Sequence, residues 1–404
     1  MMRKRFTLCI LTFFFFLLTI TSTGCWNWRE LNTLGIVTAS GFDRTPDGKI
    51  SITIQIVKPG EINSSKEGKG GSTGNPVLVL TSTGDTVFDA VRNATMKVDR
   101  KLFWPHTKVF VIGEKLAREG LAPILDWIDR DAEPRRLTKL LITRGQAKDI
   151  MEVESELEKL PAFFLENLVR VSNSTSTAVD VRIHDFLKMM TSEGRDPFAS
   201  NIELKGGAEI GQTGNEEDSG GKKQAMLTGA AVFRKDRLVG WLDGYETRGL
   251  LWVLGKVESG IIIVPSPLTE EEKVSLEIIR VSSKIKAKIA ENGLPTITVE
   301  IQEEGNLGEQ MSLVDLTKPE NWASLEKSQA AAIEKEVKIA LRTAQSKLGV
   351  DIFGFGETVH RAYPKVWQEL KDRWRQVYPT VEVEVKVSAK LRRTGVGTKP
   401  SIPK

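Results

Sequence analysis

The sequence predicts a mixed α/β protein of the α+β type, with three domains behind an N-terminal export signal. Short runs of alternating apolar and polar residues predict strands, and longer runs with apolar residues three or four apart predict amphipathic helices. Two polar, Gly-rich stretches, 59–76 and 205–224, separate the blocks. We therefore expect a signal at 1–24, an N-terminal α/β domain at 25–204, a small middle domain at 205–268 and a C-terminal α/β domain at 269–404.

The N-terminus has the layout of a secretory signal. Arg3, Lys4 and Arg5 precede an uncharged apolar run at 6–20, which is shorter than the roughly 20 residues that a permanent membrane span needs. Small and hydroxylated residues then lead to Cys25, and this segment resembles the signals of bacterial lipoproteins, although Ser22 stands where an aliphatic residue is usual. The resemblance implies that Cys25 carries N-acyl and S-diacylglycerol chains. Cys9 leaves with the signal, so the processed chain has no second cysteine for an internal disulfide.

The composition excludes some partners. The formal net charge is only +4 over 404 residues, and no basic stripe of the kind that nucleic acid requires is present. A hydrophobic content of 40% is ordinary for a globular chain.

The N-terminal and middle blocks alternate between strand and helix patterns. A hairpin is predicted at 36–42 and 49–57, where apolar residues alternate with polar ones around a Pro-Asp-Gly turn. Further strands are expected at 77–80, 108–112 and 137–142, and helices at 86–97, 120–128 and 161–171. In the middle block we expect strands at 227–233, 238–241 and 260–264 and a helix at 245–254.

The C-terminal block has the clearest pattern. Alternation at 281–289 and 297–301 around Asn292-Gly293 predicts a hairpin. Thr317 and Glu320 fit a helix capping box, two amphipathic helices follow, and alternation at 381–391 predicts a last strand. We expect a β-β-α-α-β unit with both helices on one face of an antiparallel sheet.

No arrangement of reactive residues emerges from the sequence. His106, His184 and His360 are far apart and have no neighbour at metal-ligand spacing, so we expect no zinc site. The Gly-x-Ser-x-Gly match at 70–74 lies in a low-complexity loop rather than between a strand and a helix. We therefore expect no catalytic residue, no metal and no cofactor.

Two stretches carry a family resemblance. The first is Cys-Trp-Asn-Trp-Arg-Glu-Leu at 25–31, and the second is Asp-Ile-Phe-Gly-Phe-Gly-Glu at 351–357, followed by Trp367, Trp374 and a last strand that ends in Arg-Arg-Thr-Gly at 392–395. A softer match covers 228–233 and 238–240. In this combination and order the chain resembles the Ger(x)C family, the C subunits of nutrient germinant receptors in endospore-forming bacteria.

The resemblance implies a three-domain lipoprotein on the outer face of the spore inner membrane. It also implies integral-membrane A and B receptor subunits as partners. The one functional residue that the resemblance assigns in this sequence is Cys25, the site of lipid attachment. Phe353 and Phe355, on either side of Gly354, have two open interpretations: packing of a turn between helices, or docking of a partner subunit.

The sequence thus predicts a non-catalytic, lipid-anchored accessory subunit of a germinant receptor that binds no small molecule tightly. The alternative is a solute-binding lipoprotein of a transporter, which usually has two α/β lobes with a ligand cleft between them. A cell-surface hydrolase would need a nucleophile or metal that the sequence does not offer.

Overall fold

A computed structural model of the protein describes residues 2–21, 30–62, 75–155, 157–206, 223–269 and 271–394. The predicted export signal contains a helix, α1 (Met2–Thr21). Cys25 and the tryptophans beside it lie outside the described residues. Among the helices of the described part, none combines the length and the apolar character that crossing a bilayer requires.

A nine-stranded mixed sheet forms the larger part of the molecule, in the order β3-β2-β1-β5-β6-β7-β8-β9, with β4 beside the start of β1. Its centre, from β1 to β7, is parallel, and both flanks are antiparallel hairpin pairs. The strands are β1 (Leu34–Arg44), β2 (Ile50–Val57), β3 (Val77–Gly84), β4 (Lys101–Phe103), β5 (Val109–Gly113), β6 (Lys139–Thr143), β7 (Phe198–Lys205), β8 (Gln224–Arg234) and β9 (Arg237–Leu242).

Helices cover both faces of this sheet because its central strands are apolar on both sides. In β5, Phe110 and Ile112 face the main core, while Val109 and Val111 face a second, smaller one. Parallel strands buried on both faces read as continuous apolar runs, which is the pattern seen here. The helices are α2 (Pro59–Ile62), α3 (Val87–Thr95), α4 (Glu114–Glu119), α5 (Ala122–Arg130), α6 (Ala147–Met151), α7 (Pro161–Val171), α8 (Ile183–Thr191) and α9 (Gly244–Leu254).

The segment predicted as a middle domain contributes to both sheets of the structure. Its strands β8 and β9 extend the large sheet, whereas β10 (Ile261–Pro265) pairs with β11 of the second sheet. Between them, α9 begins at a capping box formed by Asp243 and Glu246 and ends at Gly255, whose φ of +63° favours glycine. Whether residues 205–268 form a domain of their own remains a prediction.

The second sheet has the order β10-β11-β12-β13 and confirms the predicted order of two strands, a helical segment and a last strand in the C-terminal block, although the described chain has four α-helices where two were predicted. The predicted antiparallel arrangement is corrected, because β13 lies parallel to β12. Helices between these strands carry the chain back to the end of the sheet where β12 began, so the next strand runs in the same direction. The elements are β11 (Lys273–Ile289), β12 (Pro295–Gln310), α10 (Pro319–Arg342), α11 (Phe355–Ala362), α12 (Pro364–Leu370), α13 (Trp374–Val377) and β13 (Glu382–Arg393).

Helix α10 packs on the second sheet with one buried face. A π-helical turn at Thr343–Leu348 continues it to Gly349, which has a φ of +61°. The predicted capping box is wrong: the N-cap is Lys318, and the Thr317 hydroxyl donates instead to Asp315 Oδ1 at 2.5 Å.

A carboxyl group is buried between α10 and β12. Glu303 is only 1% exposed, and its Oε1 accepts a hydrogen bond from Gln329 Nε2 at 3.0 Å. Its Oε2 is buried without a partner in the described structure. Burial, reinforced by the negative charge of Glu304, raises the pKa of Glu303 to about 8.

Glu303→Gln should flatten the pH dependence of stability. The pKa of Glu303 is higher in the folded protein than its usual value of 4.5, so the folded state holds the proton more tightly. The free energy of unfolding therefore falls as pH rises from about 4.5 to about 8, and glutamine cannot contribute to this fall. Urea denaturation across this range should show a smaller decline for the variant. Glu291→Gln, at an exposed carboxylate between β11 and β12, is the control, and identical profiles for Glu303→Gln and native protein would contradict the assignment.

Candidate functional site at the junction of the two sheets

The structure places both predicted docking residues inside the protein. Phe353 and Phe355 are 2% and 0% exposed, and their rings stack with centroids 5.2 Å apart. The docking hypothesis is corrected, because a partner subunit cannot contact either ring without displacing it from the core. The packing interpretation, which the sequence left open, describes their position.

The centre of this region is the carboxylate of Asp351, which is 2% exposed. Its Oδ1 accepts hydrogen bonds from the backbone N–H groups of Gly354 and Phe355 at 2.9 and 3.0 Å. Its Oδ2 accepts from the Gly356 N–H at 2.8 Å and from Trp374 Nε1 at 3.1 Å. A carboxylate before a helix satisfies N–H groups that have no partner within the helix, and here it also fixes Trp374 against α11.

Asp196, just before β7 of the large sheet, binds the same segment. Its backbone N–H donates to the Asp351 carbonyl at 2.8 Å, and its Oδ2 accepts from the Asp351 N–H at 3.0 Å. Its Oδ1 is 3.4 Å from the N–H of Lys235 in the β8–β9 turn. Asp196 thus connects two parts of the large sheet to the Asp351 segment.

Two glycines let the segment before β7 and the first turn of α11 meet backbone to backbone. A Cβ on Gly356 would lie 2.6 Å from the Cα of Gly194, closer than real Cβ contacts allow. Gly194 also has a φ of +81°, a left-handed conformation that disfavours side chains, and its carbonyl accepts from the Glu357 N–H at 3.2 Å. Larger residues at either position would separate the two units.

An aromatic cluster surrounds this contact. Trp374 lies 5.3 Å from the ring of Trp367 and 6.1 Å from that of Tyr378, and Phe355 lies 6.3 Å from Tyr378. Trp367 Nε1 donates to Glu193 Oε2 at 3.2 Å, which is a further link to the chain before β7. The spaced tryptophans noted in the sequence are therefore core residues of the junction.

An ion pair between α9 and α10 provides a second connection. Arg248 and Glu336 are 7% and 8% exposed; Arg248 Nε donates to Glu336 Oε2 at 2.8 Å, and Arg248 Nη2 donates to Glu336 Oε1. Trp252 Nε1 donates to Glu336 Oε2 at 2.9 Å. Gly249 lets the helices approach, because a Cβ there would lie 2.4 Å from the Glu336 carbonyl oxygen. Bidentate geometry with an additional donor satisfies a buried charge pair.

The chemistry of the junction is that of a structural joint. Burial raises the pKa of Asp351 to about 7 against the lowering effect of its N–H donors, and burial also raises the pKa of Asp196. Both Asp351 oxygens are occupied by protein donors, so no substrate atom has access to them. Among the described residues, no group of three or more His, Cys, Asp or Glu side chains is placed to hold a metal ion.

The clefts of the structure lie elsewhere. One of about 670 Å³ separates α3 from α5 and is lined by residues that include Phe88, Arg92, Trp127 and Arg130. Its arginines are engaged, Arg92 over the Phe88 ring and Arg130 with Asp126. This cleft lies within the N-terminal part of the chain.

Sequence reasoning identified the Asp351 segment as a motif but not its role. The preference of Asp for the position before a helix was the available signal, since α11 begins four residues later. Asp196 and Gly194 gave no usable signal, because their importance comes from contacts with residues more than 150 positions away.

Comparisons with known proteins cover nearly the whole chain. The family described as "Spore germination protein N-terminal domain" matches residues 27–204, and the family described as "Spore germination B3/ GerAC like, C-terminal" matches residues 228–395. The chain is similar to spore germination protein KC of Bacillus subtilis (strain 168), with 31% identity over 398 residues and 97% of each chain covered. Spore germination protein B3 of the same strain is 26% identical over 388 residues, covering 95% of this chain and 96% of the relative.

The fold also has a solved counterpart. The crystal structure of the GerBC protein matches 87% of this chain and 96% of its own, with a TM-score of 0.56 and 22% sequence identity. At that identity the match establishes the α+β fold.

Asp351→Asn should destabilise the protein by roughly 2–5 kcal/mol. Whichever way the amide is oriented, its NH2 group faces two N–H donors, and each buried donor left without an acceptor costs about 1–3 kcal/mol. Chemical denaturation should show this loss. Asp126→Asn, in an exposed pair with Arg130, is the control and should change stability by less than about 1 kcal/mol. An Asp351→Asn protein as stable as the control variant would show that this carboxylate does not hold the junction.

Proposed function

This chain belongs to the family of GerAC-like spore germination proteins, and from that premise we propose that it is a lipid-anchored, non-catalytic accessory subunit of a nutrient germinant receptor. Its partners in this proposal are the integral-membrane A and B subunits, on the outer face of the spore inner membrane. It binds no free amino acid or sugar tightly, since nutrient recognition resides in the partner subunits.

The proposal that the subunit is non-catalytic rests on the hydrogen bonding at the junction of the two sheets. The deeply buried carboxylate of Asp351 accepts hydrogen bonds from four N–H donors of the protein and offers no free acceptor to a substrate. A joint of this kind keeps a large surface rigid without chemistry. Rigid presentation of a surface is what a scaffolding subunit contributes to a complex.

The anchor supports assembly through confinement. Five peptide steps separate Cys25 from Glu30, where the described body begins, and a fully extended chain spans at most about 3.3–3.6 Å per residue. Glu30 is therefore held within roughly 18 Å of the lipid-bearing residue. Such a tether raises the effective concentration for membrane partners without adding contacts, so weak interfaces suffice.

Cys25→Ala should release the protein from the membrane and reduce germination. Each buried methylene of an acyl chain contributes about 0.8 kcal/mol of membrane binding, and the variant loses all of it. Detergent phase partitioning should move the variant to the aqueous phase, and a deletion strain that expresses it should germinate more slowly on the nutrients of its receptor than one with the native gene.

Ser22→Ala, which leaves the cysteine in place, is the matched control and should behave like the native chain. Equal partitioning of native protein and Cys25→Ala into detergent would make the apolar run at 6–20 the anchor. A deletion strain that germinates normally on every nutrient would reject the accessory role itself.

A further inference from the structure

The last strand of the second sheet has one unpaired edge. β13 pairs with β12 alone and ends the sheet. Side chains from α10 and the turn after it occupy the two ends of this free edge. At the first end, Gln345 Nε2 donates to the Val381 carbonyl at 3.0 Å. At the other end, the Leu391 N–H donates to Glu326 Oε1 at 3.1 Å, and the Leu391 carbonyl accepts from Trp322 Nε1 at 3.3 Å.

Between these ends the edge is open. Successive residues of a strand direct their N–H and C=O groups alternately to the two sides, and Val381 and Leu391 both face outward. Val383, Val385, Val387 and Ala389 share their orientation. Within the described part of the chain, no hydrogen bond to the outward groups of these four residues is present. The result is a row of free donors and acceptors capped at both ends.

The side chains on the exposed face of β13 are ordered by charge. Glu382 and Glu384 lie at the start of this face and Lys390 and Arg392 at its end, with Lys386 and Ser388 between them, and all six are exposed to solvent. The alternate residues are apolar and pack toward the core. Charged side chains on edge strands usually prevent pairing with other molecules, so the order of the signs decides whether a given pairing is favourable.

We propose that a second copy of this chain adds its β13 antiparallel to this edge, joining two sheets into one continuous sheet across a twofold axis. Pairing centred on Val387 places Glu384 opposite Lys390 within the open stretch and brings Glu382 near Arg392 at its ends, where the outward groups of Leu391 already have partners in their own chain. Each of these contacts occurs twice, and opposite charges across strands are stabilising. A parallel arrangement would place like charges side by side, and only the antiparallel one is self-complementary.

Contacts within the chain are compatible with this pairing. Lys390 contacts Glu326 at 2.8 Å, Arg392 contacts Glu304 at 2.7 Å, and Lys386 contacts Glu384 at 3.0 Å. The basic side chains of these pairs are more than half exposed, so each can accept a second carboxylate partner from the other copy. This inference stands apart from the lipid anchor and from the proposed function.

Charge exchange on β13 tests the proposal. Glu382→Lys with Glu384→Lys removes both acidic side chains from the exposed face, and Lys390→Glu with Arg392→Glu reverses the charge at its end. Sedimentation velocity of the full-length native chain in detergent should show a dimer. Each double variant alone should associate at least tenfold more weakly, and an equimolar mixture of the two should recover dimers, because the unlike strands are complementary.

Lys284→Glu with Lys288→Glu, on the exposed face of β11 away from the edge, is the matched control and should leave association unchanged. Thermal unfolding verifies that every variant is folded. A native chain that remains monomeric at all concentrations overturns the proposal, as does a dimer that persists in both double variants. If a strand of a different protein is found to pair with β13 in place of a second copy of this chain, the proposal is also overturned.

Discussion

The hydrogen bonds of the Asp351 carboxylate join parts of the chain that are far apart in sequence. The carboxylate orders the first turn of α11 and fixes Trp374. The backbone N–H of Asp351 donates to the side chain of Asp196, which lies just before β7. Because Asp196 also contacts the β8–β9 turn, the large sheet and the second unit meet here at a buried polar point beside the apolar core. Removing an acceptor from such a point leaves buried donors without partners, so the junction is sensitive to small changes.

The ion pair between Arg248 and Glu336 has a related role between α9 and α10. Hydrophobic packing alone permits helices to slide or rotate, whereas a bidentate guanidinium–carboxylate contact with a third donor, Trp252, allows one arrangement. Buried ion pairs add little net stability compared with apolar residues of similar size. Their value here is orientation: α9 follows the large sheet, α10 covers the second, and the pair fixes one against the other. A subunit that presents surfaces to membrane partners benefits from a fixed orientation of its parts.

The sequence predicted local structure well and long-range pairing poorly, and the reasons are physical. Alternation of apolar and polar residues at 36–42 and 49–57 indicates that one face of each strand is buried. This pattern is local in the sequence, so β1 and β2 were predicted correctly. The direction of β13 depends on the path of the helices before it, which periodicity does not encode, and an antiparallel sheet was expected instead. Phe353 and Phe355 were assigned to a motif correctly, but aromatic residues beside glycines can be buried or exposed, and the outcome depends on contacts with distant segments, such as that of Gly194 with Gly356. Thr317 and Glu320 have capping-box spacing, yet Asp315 captures the threonine hydroxyl.

Native-state hydrogen exchange measures most directly whether the two sheets form one cooperative unit through this junction. The informative amides are those of Gly354, Phe355 and Gly356, which donate to Asp351, with Val111 and Val299 as core references in the two sheets. The account predicts that all five exchange only through global unfolding, with the same free energy of opening. If the free energy of opening of the three junction amides is several kcal/mol lower than that of both reference amides, the junction is a local hinge, which would contradict a rigid joint.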